Sequence, residues 1–363
     1  MKKFIFALLQ LFADAGTVVN ATTGYVNSGT GSVTNFDAAN SLAGELKTFY
    51  DTELLENARV EMFYAQFAKK QPLPAGRGKT IEWRKWNTFE RASKLQEGVI
   101  PTGQKFGMSS KTGTIDQYGT YATISDQLEL HAYDDVILGA TEEMGASAAE
   151  TQEVLIRDAL LVNTNVMYCD NITLATGEVS GATPTACNQM EASQTVMSVL
   201  TPDSVARAVT VLKKNRVPTI GGKYYAVIHP SVAYDLRRSR DWIEAHKYAA
   251  TSEIFNGEIG ELHGCRFIEN VFAPILGGAD YQNKAGSVTY ATYFFGKDAF
   301  GIIDPEGGAL EMIVKDKSQV GGPLNQFSTV GYKLETNGAT ILYPERLLRV
   351  MSCSSFSGTD ETN

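Results

Sequence analysis

The sequence predicts an α+β fold in which a long two-stranded ribbon and a very long helix accompany a mixed core. Three observations lead there. Residues 79–89 (KTIEWRKWNTF) and 112–128 (TGTIDQYGTYATISDQL) alternate with the period of a strand. The longest proline-free interval, Thr102–Thr183, carries helix-compatible spacing through its centre, from Asp134 to Tyr168. Beyond residue 201, short helical and β-rich stretches alternate. With 363 residues, 43% of them hydrophobic, the chain can bury a sizeable core, and its length suits two or three domains.

The chain begins MKKFIFALLQLFADAGT, in which two lysines, an apolar stretch and Ala13-Asp14-Ala15 imitate a secretory signal. Export is therefore one reading of this segment, and a short amphipathic anchor packing on this protein or on a neighbour is the other. Residues 16–40 are rich in Gly, Ser, Thr and Asn and read as an arm. Ser41–Lys70 reads as a helix, with Leu46, Phe49, Leu54, Val60, Phe63 and Phe67 among its apolar positions and Pro72 and Pro74 ending it.

In the ribbon, Ile81, Trp83 and Lys85 take one side and Glu82, Arg84 and Trp86 the other, a pattern that suits exposure on both faces. About two dozen residues separate the two strands, too many for a tight turn and typical of a functional projection. A ribbon of this kind is marginally stable alone and needs a partner surface.

The helix at Asp134–Tyr168 would be about 35 residues and ~50 Å long, a spine for the fold. Asp134 and Asp135 sit at its positive end, and the small residues of 145–149 allow close backbone approach. Residues 171–201 form a polar insertion without a clear pattern. Thereafter Asp203–Lys214 and Pro230–Arg240 read as helices. Tyr224–His229, Gly257–Asn270, Thr289–Phe295 and Ala299–Ile303 read as strands, and Leu310–Met351 as strands returning toward the spine.

Charge separates sharply along the chain. From Gly76 to Thr112, eight basic residues face three acidic ones, a net of +5. From Gly113 to Glu150 there are eight acidic residues and no Lys or Arg, a net of -8. In a chain whose total is -9, this split predicts the basic arm of one copy lying on the acidic helix of another, because opposite fields attract and fix register. The candidate contact residues are Arg84, Lys85, Arg91, Lys94, Lys105 and Lys111 on the arm, and Asp134, Asp135, Glu142 and Glu143 on the spine.

Other functions find little support. The acidic total argues against a general nucleic-acid surface, so contact with DNA would be indirect. Four widely spaced cysteines without CxxC or CxxxH patterns fit reduced thiols better than a disulfide framework or zinc site. No apolar run approaches the ~20 residues that cross a bilayer. Gly78-Lys79-Thr80 lacks the first glycine of a phosphate loop and leads into a strand, so it reads as a turn. Glu261, His263 and Cys265 alternate on one strand face but have no fourth ligand. Asp134-Asp135 and Glu142-Glu143 read as solvated charges, and His229-Pro230 as a strand end. Trp83, Arg84, Lys85 and Trp86 could stack bases, but a ribbon packed on a neighbour explains them better. No catalytic residue, metal or cofactor is called for.

The order of parts resembles the Hong Kong 97-type major capsid proteins of tailed bacteriophages, most closely the subfamily of the coliphage N-four capsid protein. The stretches that carry the resemblance are ELKTFYDTELLENARVEMFYAQFA, FERASKLQEGVIPTGQ, YYAVIHPSVAYDLR, GEIGELHGCRFIEN and STVGYKLETNGATIL, within residues 41–350. The resemblance implies an N-terminal arm (1–40), an N-terminal helix of the peripheral domain (41–78), an extended loop (79–128), the peripheral spine and insertion (129–200), an axial domain (201–309), and return strands with a tail (310–363). It implies a chain that assembles with itself into pentamers and hexamers of an icosahedral head around double-stranded DNA, in the host cytoplasm. A portal protein, a separate scaffolding protein and a decoration protein are the partners implied. Some relatives weld subunits through a lysine; Lys94, Lys105 and Lys111 lie in the loop, but nothing marks one of them for it. The reading from another class is a secreted surface-array or adhesion protein, which rests on the signal-like start and the Thr- and Gly-rich arm.

Overall fold

The structure is a computed structural model and describes residues 25–26, 33–34, 63–74, 76, 78–92, 94, 97–98, 100, 103–132, 135–239, 242–243, 258–306, 310–320 and 324–363. The chain divides into two compact units, Met1–Ala58 and Arg59–Asn363. In the first, β1 (Tyr25–Val26) pairs antiparallel with β2 (Val33–Thr34). The signal-like start and most of the predicted helix, through residue 62, lie outside the described residues.

The second unit opens with a single turn, α1 (Tyr64–Phe67), followed at once by β3 (Lys69–Leu73). The expected helix therefore ends before Lys69. Pro72 cannot donate to a ladder, yet β3 accommodates it as the edge strand of a small sheet. Next come β4 (Thr80–Trp86), β5 (Met108–Thr114), β6 (Asp116–Ser125), α2 (Asp126–His131) and the spine α3 (Val136–Leu161).

After the spine, β7 (Val166–Tyr168), β8 (Ile172–Thr173) and β9 (Val196–Met197) lead through the insertion to α4 (Pro202–Lys214), β10 (Tyr224–Ile228) and α5 (Pro230–Arg238). The remaining strands are β11 (Glu258–Leu262), β12 (Cys265–Glu269), β13 (Ile275–Leu276), β14 (Thr289–Phe295), β15 (Phe300–Pro305) and β16 (Leu310–Lys315). The chain then passes through α6 (Lys317–Val320) to β17 (Phe327–Thr336), β18 (Thr340–Ile341) and β19 (Leu347–Ser352).

Two of these segments depart from the predicted pattern. The spine is 26 residues, about 39 Å, not 35 residues. It stops because Asn163 turns its amide to the backbone of Leu347 at 2.7 Å, and Val166–Tyr168, whose spacing had suited a helix, pairs instead as a strand beside β19. The returning strand of the ribbon is Met108–Thr114, which pairs with Thr80–Trp86. The alternation continues past Ile115, but there the chain changes partner, and Asp116–Ser125 pairs with Phe327–Thr336.

The core is built around a seven-stranded mixed sheet, in the order β11-β12-β10-β14-β19-β7 with β13 attached to β14. Alternate residues of its central strands serve opposite faces, so those strands are apolar throughout, as a sheet covered on both sides requires. Ala226, Ile228, Tyr290, Phe294, Leu348 and Val350 meet Val205, Val209 and Leu212 of α4 and Leu236 of α5. Val227, Tyr293, Phe295 and Leu347 meet Ile156 and Leu160 at the end of the spine. The insertion covers the rest of that second face, packing Cys187, Met190, Met197 and Val199 on Ala291, Met351 and Cys353.

The spine's preceding turns carry the antiparallel sheet β16-β17-β6. Ala148 packs on Tyr332 and Leu334, and the Tyr332 hydroxyl lies 3.3 Å from Ser147 Oγ and 3.1 Å from Thr151 Oγ1. The return strands thus divide: β17 reaches the spine as predicted, while β19 enters the large sheet.

One buried carboxylate joins these layers. Glu153, on the spine and 1% exposed, accepts the backbone N–H groups of Phe63 (3.0 Å) and Tyr64 (3.2 Å) and the side-chain amide of Asn270 (2.8 Å) at the end of β12. It lies on the same stripe as Ile156 and Leu160, a position where periodicity calls for an apolar residue.

Candidate assembly surfaces

The ribbon is not exposed on both faces. Ile81 and Trp83 pack on Leu73, Ile115 and Ile303 of the same chain. Gly113 makes this seat possible, since a Cβ there would stand 2.7 Å from the Trp83 ring and 2.7 Å from Thr340 Oγ1. Farther out, Lys85 Nζ meets Glu345 Oε1 at 3.0 Å and lies 4.6 Å from the centre of the Tyr343 ring. Partial burial would raise the Glu345 carboxyl, but its own backbone N–H and Lys85 hold it below its ordinary value. Arg84 pairs with Glu82 on its own strand at 3.2 Å. Glu82 is lowered by a hydrogen bond from Ser110 and by Arg84.

Beyond Lys85 the two chains of the ribbon continue as a projection. Asn87 N donates to Gly107 O at 2.9 Å. The Gln104 carboxamide then takes the place of a backbone partner for Glu90, accepting from its N–H at 2.9 Å and donating to its C=O at 3.2 Å. Arg91, Lys94 and Lys105 are exposed on this projection, and Lys111 is exposed on β5. An aromatic stack, absent from the sequence reading, runs along it: Trp86 and Phe106 have ring centres 4.3 Å apart, Phe106 and Phe89 5.2 Å, each pair nearly parallel. The three are 61%, 57% and 56% exposed.

On the acidic side, Asp134 lies outside the described residues. Asp135 caps the spine, its Oδ1 accepting from Leu138 N at 3.1 Å, which satisfies one of the helix's open donors. Glu142 and Glu143 are exposed on the spine's second turn. Just upstream, α2 carries Asp126 and Glu129, the latter paired with Lys317 at 3.0 Å. Among these acids stand three exposed leucines, Leu128, Leu130 and Leu138. The arm and spine residues named from charge are thus displayed on separate elements, with Arg84 and Lys85 engaged within the chain.

The rejected sites resolve on geometry. His263 is not on a strand face: it has φ 51° and sits in the turn between β11 and β12, while Cys265 points into the core and Glu261 pairs with Lys223. Burial pushes the Cys265 thiol well above its ordinary value. Gly78, at φ 90°, turns the chain into β4. His229 caps α5 rather than merely ending a strand, its Nδ1 accepting from Ser231 N at 3.2 Å. Among the described residues no helix is long and apolar enough to cross a membrane.

The same architecture occurs in phage heads. The capsid protein of cyanophage Pam1 superposes with a TM-score of 0.63 over 88% of this chain and 99% of its own, at 12% identity. That of Ralstonia phage GP4 gives 0.60 over 90% and 100%, also at 12%. That of cyanophage P-SCSP1u gives 0.59 over 85% and 94%, at 15%. At such identities the likeness shows the fold. No curated protein sequence matches the chain. Residues 109–341, well over half of the chain, match the family described as phage capsid protein. The chain belongs to that family: it is a major capsid protein, which assembles with itself into the shell of a phage head.

Proposed function

We propose that the chain builds pentamers and hexamers of an icosahedral, DNA-filled head by laying the basic arm of one copy on the acidic spine of the next. The observation that carries this is the opposition of charge between two exposed elements of one chain: Arg91, Lys94 and Lys105 on a projection, and Asp135, Glu142 and Glu143 on a helix. Single exposed ion pairs contribute roughly 0–1 kcal/mol, so the charges set orientation and register while apolar contacts supply affinity. Closure of a shell multiplies each weak contact.

The role is structural rather than enzymatic. The quoted stretches support a place in the coliphage N-four subfamily, and the fold supports division into peripheral and axial domains. A separate scaffolding protein, a portal and a decoration protein complete the head, which forms in the host cytoplasm. The secreted surface-array reading gives way to the family match.

The experiment is electron microscopy of the full chain, with and without other head proteins, for the wild type and for Arg91→Glu, Lys94→Glu, Lys105→Glu. The triple variant is expected to remain folded and to form no shells. Normal particles from it would remove the steering role.

A further inference from the structure

We infer that the aromatic stack Trp86, Phe89 and Phe106 is the apolar anchor of the contact between copies, and that it seats on Leu128, Leu130 and Leu138 of a second copy. This rests on the proposed arm-on-spine reading and adds to it the source of affinity.

The stack lies beyond the last contact that ties the ribbon to its own body, at Lys85 and Glu345. Three large rings held nearly parallel, each more than half exposed, form a preordered apolar surface on a projection that has no core of its own. Preorder matters because a partner then need not order those side chains on contact. The leucines supply a matching surface. Leu130 is 77% exposed, and Leu128 and Leu138 are at least half exposed.

A second copy is the occupant because the two surfaces are complementary in their surroundings as well as in their centres. The rings are bordered by Arg91, Lys94 and Lys105, and the leucines by Asp126, Glu129 and Asp135. An apolar centre inside a charged border is the usual build of a specific protein contact, and here the borders are of opposite sign. The alternative occupant, single-stranded nucleic acid stacked on the rings, would leave the leucines uncovered.

The test is a double-mutant cycle read by sedimentation of the full chain as the concentration at which half of it is assembled. Phe106→Ala and Leu130→Ala are each expected to raise that concentration about tenfold or more, the effect of truncating an anchor side chain. Both residues are exposed and belong to different elements of one chain, so thermal unfolding should be unchanged. If they meet across copies, the double variant assembles little worse than either single one. Effects that multiply, or a Phe106→Ala variant that assembles like the wild type, overturn the inference.

A parallel cycle on Lys94→Ala and Glu142→Ala, read as loss of the salt dependence of assembly, reports on the charged reading alone. Coupling there without coupling of Phe106 to Leu130 leaves the arm-on-spine reading standing and removes the anchor. No coupling in either cycle removes both. Shells whose assembly is insensitive to Leu130→Ala but competed by a short oligonucleotide would assign the rings to nucleic acid instead.

Discussion

Removing Glu153 tests the joint between spine, entry segment and large sheet. Its Oε1 serves three donors, the N–H groups of Phe63 and Tyr64 and the Asn270 amide, in a site almost closed to solvent. Glu153→Ala strands all three, each at a cost of about 1–3 kcal/mol, and regains part of the desolvation cost of a buried carboxylate; the net expectation is a loss of about 3–5 kcal/mol. Glu153→Gln keeps an acceptor at Oε1 and should lose about 1–2 kcal/mol, as charge-assisted bonds become neutral ones.

The pH dependence separates the two forms. Burial raises the Glu153 carboxyl above its ordinary value of 4.5, outweighing the lowering by the bonds from Phe63, Tyr64 and Asn270. The folded chain therefore binds this proton more tightly than the unfolded chain. Its contribution to stability falls as pH climbs from the unfolded pKa through the raised folded one, by about 1.4 kcal/mol per unit of separation. Urea unfolding of the unassembled chain across that range should show this slope in the wild type relative to Glu153→Gln. A wild type no more stable than Glu153→Ala, or a difference from Glu153→Gln that grows with pH, would refute the reasoning.

Two further outcomes follow from packing. Gly113→Ala places a methyl group against the Trp83 ring and Thr340, so the ribbon's root must lift, at a cost of about 1–3 kcal/mol; trypsin should then cut at Lys79 and Lys111 faster than in the wild type, and equal rates would contradict the seat. All four cysteines are buried, and burial pushes the Cys169 and Cys353 thiols to about 12. An aromatic disulfide reagent near pH 8 should therefore find no reactive thiol until denaturant is added and all four appear; prompt reaction in the native chain would contradict their place in the core.

The spine was legible because a proline-free stretch with small residues at 145–149 leaves few alternatives to a helix. Its overrun came from Val162 and Val166, which keep helical spacing although Asn163 and Asn165 bond the backbone of β19. The ribbon was legible from alternation, but alternation cannot report the change of partner at Ile115, since Asp116–Ser125 finds its neighbour some two hundred residues later. Charge exposed the two candidate surfaces. It could not show that Lys85 is engaged by Glu345, 260 residues away, or that Trp86, Phe89 and Phe106 come together across the loop. Glu153 had a local sign, an acid on an apolar stripe, but its partners Phe63 and Asn270 are distant in sequence.

The half-seated ribbon has a mechanical consequence. Up to Lys85 it is clamped by Trp83 and by the Glu345 pair; from Trp86 to Glu90 it is a cantilever about 17 Å long. A tilt of roughly six degrees at its fulcrum carries the tip about 2 Å, given that length, while the clamped body stays still. Differences in curvature between five-fold and six-fold surroundings can thus be taken up by a lever at the rim of each subunit, leaving the large sheet undeformed.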